Sequence, residues 1–146
     1  MQIIIKTFTE LTINELYQIL QLRSEVFVVE QDCVYQDIDG KDDKALHILG
    51  INNNKIIAYT RCFNKGDYFP EASIGRVVVK ESERKYKYGN AIMEASIKAI
   101  ETHFKTETIN ISAQIYLQNF YNQLGFKNVG EEYLEDGIPH IAMIKK

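Results

Sequence analysis

The arrangement of apolar and polar positions along the chain predicts seven β-strands. Short runs such as "IIIKTF", "ALHILGI" and "KIIAYTRCF" are rich in branched and aromatic residues, and polar residues separate them. The segments "NNN" and "EDG" each lie between two such runs, where they predict hairpin turns. The predicted strands cover residues 3–8, 45–51, 55–63, 73–79, 108–114, 126–134 and 138–145.

A second period, of three to four residues, predicts three helices. Thr12 and Glu15 fit a capping box at the start of the first helix. Arg23 lies on the apolar face of that helix, where a charge needs a partner or a route to water. The second helix is predicted over residues 89–104, and the third lies within "IYLQNFYNQLGF" and ends at Gly125.

The order of these elements predicts an α+β fold. Consecutive strands in the first half favour antiparallel pairing, whereas the strand–helix–strand unit over residues 73–114 requires a parallel pair. We therefore expect a mixed, mostly antiparallel sheet flanked by helices. The length of 146 residues suits one ordinary domain, which we place at residues 5–146.

Composition narrows the class of protein. With 45% hydrophobic and 25% charged residues, the chain can bury a core and remain soluble. A formal net charge of -3 argues against non-specific nucleic-acid binding, which requires a basic face. No apolar run approaches the roughly 20 residues of a membrane helix, and no cleavable leader is evident. We therefore expect a cytoplasmic protein without membrane contacts.

The cysteines and histidines point away from disulfide and metal chemistry. Cys33 and Cys62 are too few for a disulfide scaffold, and both lie among apolar residues, so we expect buried free thiols. No pair of His or Cys residues has the spacing of metal ligands. The sequence therefore predicts no metal.

The stretch "SERKYKYGNAIM", residues 82–93, is the first candidate for a binding site. It joins a predicted strand to a predicted helix, and the first amides of a helix lack partners and carry partial positive charge. Gly89 would let a ligand approach the backbone closely. Arg84, Lys85 and Lys87 would add positive charge. This combination is suited to phosphate.

A solvated basic surface is the alternative interpretation of the same turn. Neither G-x-x-x-x-G-K-S/T nor G-x-G-x-x-G is present, and one glycine before a helix is common. Tyr86 and Tyr88 are ambiguous, since they would pack over a ligand or over the protein. The turn alone does not decide between the two interpretations.

Several segments, taken in order, make the chain resemble the GNAT superfamily of N-acetyltransferases, and within it the ElaA-like branch. They are "LRSEVFVVEQ", "YQDIDG", "HILG", "IGRVVV", "LQNFY" and "EDGIPHIAM", and the likeness runs from about residue 11 to 145. The basic turn resembles the family motif R/Q-x-x-G-x-G/A through Arg84, Gly89 and Ala91. Lys87 replaces the first glycine of that motif.

The resemblance implies a sheet that splays where strand 73–79 leaves strand 108–114, with acetyl-CoA in the gap. The pantetheine arm would pair with the backbone of strand 73–79, and the pyrophosphate would lie on the amides of residues 85–90. Asn119 would reach the pantetheine amides. The implied coenzyme contacts are Val77, Val78, Val79, Arg84, Lys85, Tyr86, Lys87, Tyr88, Gly89, Asn90 and Asn119.

The activity that the resemblance implies is transfer of an acetyl group from acetyl-CoA to a primary amine, which attacks the thioester directly. Tyr121 matches the family position of the acid that protonates the coenzyme sulfur, and a tyrosine carries its proton at neutral pH. The spacing of Tyr121 also fits a helix face, so a role in the core is the alternative.

The acceptor site is less well defined by the sequence. Carboxylates in the loop at residues 33–44 would attract an ammonium group, or would simply be solvated. Arg23 is expected to pair with Glu30 if both are partly buried. His47 and His140 are candidates for the base or for contacts with the acceptor, and water is an alternative proton route. The candidate acceptor residues are Arg23, Glu30, Asp37, His47, Gln114 and His140.

Three other functions stay open. A non-catalytic acyl-CoA or nucleotide sensor would keep the coenzyme site and lack turnover. An acyl-homoserine-lactone synthase would explain Arg23, Phe27 and Glu30, but such enzymes are generally longer and carry tryptophan in this region, and the chain has none. A pure interaction module would bind no coenzyme. For the enzyme, we expect a small amine or a protein amine as acceptor, and exposed strand edges would permit a homodimer.

Overall fold

A single seven-stranded mixed sheet forms the centre of the structure, a computed structural model that describes residues 1–146. The strands are β1 (Gln2–Thr7), β2 (Leu46–Asn52), β3 (Lys55–Phe63), β4 (Ala72–Val79), β5 (Ile109–Gln114), β6 (Lys127–Glu135) and β7 (Ile138–Lys145). Their order across the sheet is β1-β2-β3-β4-β5-β7-β6. The β4–β5 pair is parallel and the others are antiparallel. The predicted α+β class is confirmed.

Three α-helices accompany the sheet: α1 (Ile13–Arg23), α2 (Tyr88–Phe104) and α3 (Gln118–Gln123). The predicted capping box of α1 is confirmed, because Thr12 Oγ1 accepts from the Glu15 amide at 3.0 Å and the Glu15 carboxylate accepts from the Thr12 amide at 2.8 Å. α1 continues directly into a π-helical segment, Ser24–Glu30. The basic turn contains a short 3-10 helix, Glu81–Tyr86, which periodicity did not indicate.

Two hairpins have the turns that the sequence predicts. Asn53 and Asn54 join β2 to β3 with φ of 49° and 62°. Asp136 and Gly137 join β6 to β7 with φ of 52° and 79°. Residues with positive φ at both central positions give a turn whose twist matches that of the strands, and a two-residue turn fixes the strand register. Gly125 also has positive φ, 96°, as expected after α3.

Helices cover both faces of the sheet, and each face has its own hydrophobic core. Ile92, Met93 and Ile100 of α2 belong to the larger core, together with residues of β2, β3, β4, β5 and β7. Ile19 and Leu22 of α1 belong to the smaller core on β2, β3 and β4. This arrangement explains the apolar, weakly alternating character of the central strands, which are covered on both sides.

Other expectations from composition can be compared with the structure. Cys33 and Cys62 are buried and unpaired, as predicted. No cluster of three or more His, Cys, Asp and Glu side chains is arranged to hold a metal ion. None of the helices is long and apolar enough to cross a membrane.

The sheet opens between β4 and β5. These strands pair only through Ala72–Ile109 and Ser73–Asn110, and beyond these pairs they diverge. On its other edge β4 contains a bulge, where one residue of β3 faces two residues of β4. Arg76 has φ of 50° in this bulge, one residue after Gly75. The splayed sheet is therefore confirmed.

Candidate active site

A cavity of about 530 Å³ occupies the gap between β4 and β5. One end reaches the basic turn and the start of α2, and the other reaches the β6–β7 hairpin. Half of the lining residues are hydrophobic, which is typical of a pocket that holds a ligand of some length. The residues proposed from the sequence that line it are Glu30, Val77, Val78, Val79, Arg84, Lys87, Gly89, Asn90, Gln114, Tyr121 and His140.

Four residues proposed for the coenzyme lie outside this lining. The Tyr88 hydroxyl accepts a hydrogen bond from the Asn52 side chain at 3.1 Å, and its ring packs against the larger core. The Lys85 ammonium lies 5.2 Å from the centre of the Tyr86 ring. Asn119 is exposed on α3. None of these side chains lines the cavity, although Lys85, Tyr86 and Tyr88 belong to the basic turn and the start of α2.

The basic end of the cavity is built around the start of α2. Lys87 precedes the helix in the left-handed region, with φ of 59°, a conformation that a glycine adopts without strain. This explains why the motif position that it occupies suits glycine. A Cβ on Gly89 would meet the Phe120 ring at 3.5 Å, an ordinary contact, so protein packing alone does not require glycine there. Close approach of a ligand to the backbone would require glycine at this position.

Arg84 and Glu30 form a two-pronged ion pair at this end. Nη1 and Nη2 of Arg84 lie 2.6 and 2.9 Å from the Glu30 carboxylate oxygens, and Arg84 Nε donates to the Val79 carbonyl at 3.1 Å. Hydrogen bonding to Glu30 raises the pKa of the Arg84 guanidinium. The pair joins the π-helical segment to the basic turn, and both residues line the cavity. The expected pairing of Glu30 with Arg23 is therefore wrong.

Arg23 instead lies at the centre of a buried network. Its Nε donates to Asp37 Oδ2 at 2.9 Å and its Nη1 to Asp42 Oδ1 at 2.8 Å. Arg61 donates to Asp42 Oδ1 at 2.9 Å and to Asp39 Oδ2 at 2.6 Å. Burial alone would raise the pKa of Asp42, but the two guanidinium groups outweigh it and hold the pKa below its usual value.

This network has a structural consequence. It fastens the acidic loop at residues 33–44 to α1 and β3, so carboxylates that looked solvated in the sequence are paired with arginines. Arg76 also contacts Asp37, with 2.8 Å between Nε and Oδ1. Arg23 and Asp37 are hydrogen-bonded to each other, and neither of them lines the cavity.

His47 is buried behind the same network and also lies outside the cavity lining. Its Nε2 lies 2.9 Å from the Asp42 carbonyl oxygen, and its Nδ1 lies 2.6 Å from the Tyr59 hydroxyl. A carbonyl only accepts, so the proton of the neutral ring is on Nε2, and Nδ1 accepts from Tyr59. Burial lowers the pKa of His47. Both ring nitrogens are satisfied, which suits a structural histidine.

Tyr121 of α3 lies in the wall of the cavity, with only 6% of its surface exposed. Its ring packs edge-on against Phe120 and Phe126. Its hydroxyl makes no hydrogen bond to the protein and is not among the fully enclosed atoms that lack a partner, so it is open to the cavity. Burial raises the pKa of Tyr121, which keeps the hydroxyl protonated.

The far end of the cavity is acidic and polar. Glu135 and Asp136 of the β6–β7 hairpin line it together with Ser112 and His140. His140 Nε2 lies 3.4 Å from Glu135 Oε2, and Ser112 Oγ lies 3.1 Å from Glu135 Oε1. A cavity with a basic end and an acidic end can hold an anionic group and a cationic group at the same time.

Comparison with known proteins agrees with this architecture. Residues 6–146 match the family described as acetyltransferase (GNAT) domain. The chain belongs to the GNAT family. It is similar to the protein ElaA of Escherichia coli, with 44% identity over 140 residues that cover 94% of this chain and 92% of ElaA. The predicted resemblance to the ElaA-like branch is confirmed.

Two solved GNAT structures match over the full length of both chains. The crystal structure of E. coli ElaA superimposes with a TM-score of 0.92 at 41% identity. The crystal structure of an acyl-CoA N-acyltransferase from Pseudomonas aeruginosa superimposes with a TM-score of 0.93 at 38% identity. The fold of this chain, with its open seven-stranded mixed sheet, is therefore that of known GNAT structures.

Sequence reasoning missed several residues at the acidic end of the GNAT cavity. Glu135, Ser112 and Asp136 all line it, and none was proposed. A signal was available for Glu135. The "EDG" turn fixes the register of the last hairpin, and counting back from it places Tyr133 opposite His140, with Glu135 on the same face two residues later.

Proposed function

We propose that this GNAT protein transfers an acetyl group from acetyl-CoA to a primary amine, which attacks the thioester directly. The observation that carries the proposal is the single continuous cavity in the splayed sheet, with an anion-binding helix start at one end, Tyr121 in its wall and carboxylates at the other end. Each part answers one need of the reaction: to hold the coenzyme, to release its sulfur and to receive a cationic acceptor.

The coenzyme would lie along β4 with its pyrophosphate on the start of α2. Lys87, Gly89 and Asn90 line the cavity at the start of α2, where the first amides of a helix lack partners within the helix and the helix dipole adds positive charge. The exposed backbone of residues 77–79, which has no partner strand on the β5 side, would pair with the pantetheine amides. Coenzyme contacts to Lys85, Tyr86 and Tyr88 would come from backbone, and Asn119 is not favoured.

Tyr121 would donate a proton to the sulfur as it leaves. When the amine nitrogen forms its bond to the carbonyl carbon, the carbon–sulfur bond breaks and a thiolate departs, which is more easily released as a thiol. The Tyr121 hydroxyl suits this role because it is protonated, has no competing protein partner and is open to the cavity. The buried aromatic rings around it fix its position.

The acceptor would be a primary amine that carries positive charge before it reacts. Arg84 and Lys87 lie at the coenzyme end, whereas Glu135 and Asp136 lie at the other end. Arg76, which also lines the cavity, already contacts Asp37 and Asp39. An ammonium group would therefore be attracted to the hairpin end. A small amine and a protein amine both satisfy this description.

Isothermal titration calorimetry with acetyl-CoA tests the proposal first. We expect micromolar binding, and binding of 3′-phospho-ADP as a fragment that carries phosphates without the thioester. Absence of binding by both ligands would contradict the proposal. Binding without turnover on a panel of primary amines would favour the alternative, a non-catalytic acyl-CoA sensor on the same fold.

Replacing Lys87 with glycine tests the departure from the family motif. Glycine relieves the left-handed strain at this position and removes one positive charge, and these effects oppose each other. We expect the Kd for acetyl-CoA to change by less than about tenfold, which corresponds to roughly 1.4 kcal/mol. Calorimetry on the unmodified protein and on Lys87→Gly measures the two Kd values. A much larger loss of affinity in the variant would make Lys87 a principal phosphate ligand.

The homodimer stays a prediction. β1 and β6 are the edge strands, and every residue of β6 is exposed. However, β6 has a register irregularity between Val129 and Tyr133 and carries several charged residues. Both features discourage pairing between exposed edges. Sedimentation of the purified protein would measure its oligomeric state directly.

A further inference from the structure

Four polar side chains form a connected cluster at the acidic end of the cavity. They come from three adjacent strands: Ser112 of β5, Tyr133 and Glu135 of β6, and His140 of β7. His140 lies directly opposite Tyr133, so these two side chains share a face of the sheet, and their rings stack with 6.1 Å between centres. Ser112, Glu135 and His140 line the cavity itself.

The direction of most hydrogen bonds in this cluster can be assigned. An ionised carboxylate only accepts, so Ser112 donates to Glu135 Oε1, 3.1 Å away. Ser112 Oγ then accepts from the Tyr133 hydroxyl, with which it is also in contact. His140 Nδ1 lies 2.6 Å from the Ile138 carbonyl oxygen, which only accepts. The proton of the neutral His140 ring is therefore on Nδ1.

With these assignments, no proton lies between His140 Nε2 and the Glu135 carboxylate. In the neutral ring, Nε2 of His140 has a lone pair and faces Glu135 Oε2 at 3.4 Å, so two acceptors confront each other. The other side chains of the cluster, Ser112 and Tyr133, are neutral and already directed elsewhere. The arrangement becomes complete when a proton arrives on Nε2, because the imidazolium then pairs with the Glu135 carboxylate.

We propose that His140 Nε2 takes the proton that the acceptor ammonium must lose, and that Glu135 is the positioning residue that stabilises the resulting imidazolium. The inference rests on the proposed function. The ammonium passes one proton to Nε2, and its freed electron pair forms the carbon–nitrogen bond. The carbon–sulfur bond breaks, Tyr121 protonates the sulfur, and the second nitrogen proton that leaves on amide formation restores the Tyr121 proton through water. His140 releases its added proton to bulk water before the next turnover, so the reaction yields the amide, the thiol and one proton.

His140→Asn is the sharpest variant for a test. The asparagine side-chain amide can occupy the place of Nδ1 and keep the bond to the Ile138 carbonyl, while the Nε2 position is lost. The probes are benzylamine, which is an ammonium ion at pH 7, and aniline, which is already a neutral amine. We expect kcat/KM to fall about 100-fold or more with benzylamine and to change less than about threefold with aniline.

The matched control is His103→Asn, at an exposed position near the end of α2. It should leave both rates unchanged, and acetyl-CoA binding by all variants should equal that of the unmodified protein. An equal loss with both amines in His140→Asn would overturn the inference and make His140 structural. Failure of acetyl-CoA to bind at all would instead contradict the proposed function.

Glu135→Gln tests the positioning role separately. A glutamine amide would donate to Nε2 and occupy the lone pair that must receive the proton. We expect the benzylamine rate to fall as far as in His140→Asn, with partial recovery in Glu135→Asp and little effect with aniline. Unchanged benzylamine turnover in Glu135→Gln would remove Glu135 from the mechanism.

A measurement without turnover completes the test. The chain has three histidines, so long-range proton–nitrogen NMR spectra of the labelled protein can be assigned from the His103→Asn and His140→Asn variants. We expect neutral His140 to carry its proton on Nδ1 and His47 to carry it on Nε2. A proton on Nε2 of neutral His140 would overturn the inference whatever the amines show.

Discussion

Tyr121→Phe is expected to lower kcat by roughly 100-fold or more, because the departing thiolate loses its proton donor. The substitution removes only the hydroxyl, which has no hydrogen-bond partner in the protein and is open to the cavity. The ring contacts with Phe120 and Phe126 remain. Acetyl-CoA affinity and thermal stability should therefore be nearly unchanged. Steady-state kinetics with a primary amine, together with calorimetry, measure the two effects separately.

Tyr17→Phe is the matched control for this prediction. Tyr17 is exposed on α1, outside the cavity, and loss of its hydroxyl should change neither kcat nor binding. If Tyr121→Phe turns over as fast as the unmodified protein, Tyr121 is a wall residue and the proton reaches the sulfur from water. If acetyl-CoA affinity collapses together with kcat, the hydroxyl holds the coenzyme rather than donating to the sulfur.

Arg23→Met is expected to reduce the free energy of unfolding by about 3–5 kcal/mol, the largest effect on stability that we predict. Arg23 is fully buried, and its loss leaves Asp37 and Asp42 each without one close positive partner. Methionine replaces the apolar stem of Arg23 and removes the guanidinium group, so the loss reports mainly the missing charge and its hydrogen bonds. Chemical denaturation followed by circular dichroism measures the difference.

Lys80→Met is the matched control for the buried network. Lys80 pairs with Glu25 at 3.1 Å, but both side chains are more than 40% exposed. Solvent screens such a pair, so its loss should cost less than about 1 kcal/mol. Equal effects of the two substitutions would show that the Arg23 network contributes no more than a surface ion pair.

Periodicity was a sound guide to the secondary structure because the physical causes are local. Thr12 and Glu15 are three residues apart and satisfy each other's amides without help from the rest of the chain. The Asp136–Gly137 turn fixes the last hairpin in the same way. The basic turn was harder, since its 3-10 helix has no amphipathic period to reveal it.

Charged residues were the main source of error in the site. Arg23 and Glu30 are seven residues apart on one stretch of helix, and the sequence suggested that they pair. In the folded chain Glu30 pairs with Arg84, which is 54 positions away, and Arg23 pairs with Asp37 of the acidic loop. Ion pairs form between side chains that the fold brings close, and distance along the chain carries little information about them.

The ordered segments of the sequence carried the resemblance to the GNAT family. By itself, the sequence also determined the order and approximate positions of the strands and helices, the α+β class and the position of the basic turn before α2. These features follow from local periodicity, turn chemistry and helix ends. Only the tertiary structure decided which of those residues meet in the cavity. The splay between β4 and β5 exposes one set of side chains and hides another, and the β6–β7 register brings Glu135 to His140. Such contacts depend on how strands far apart in sequence are packed, which no local pattern encodes.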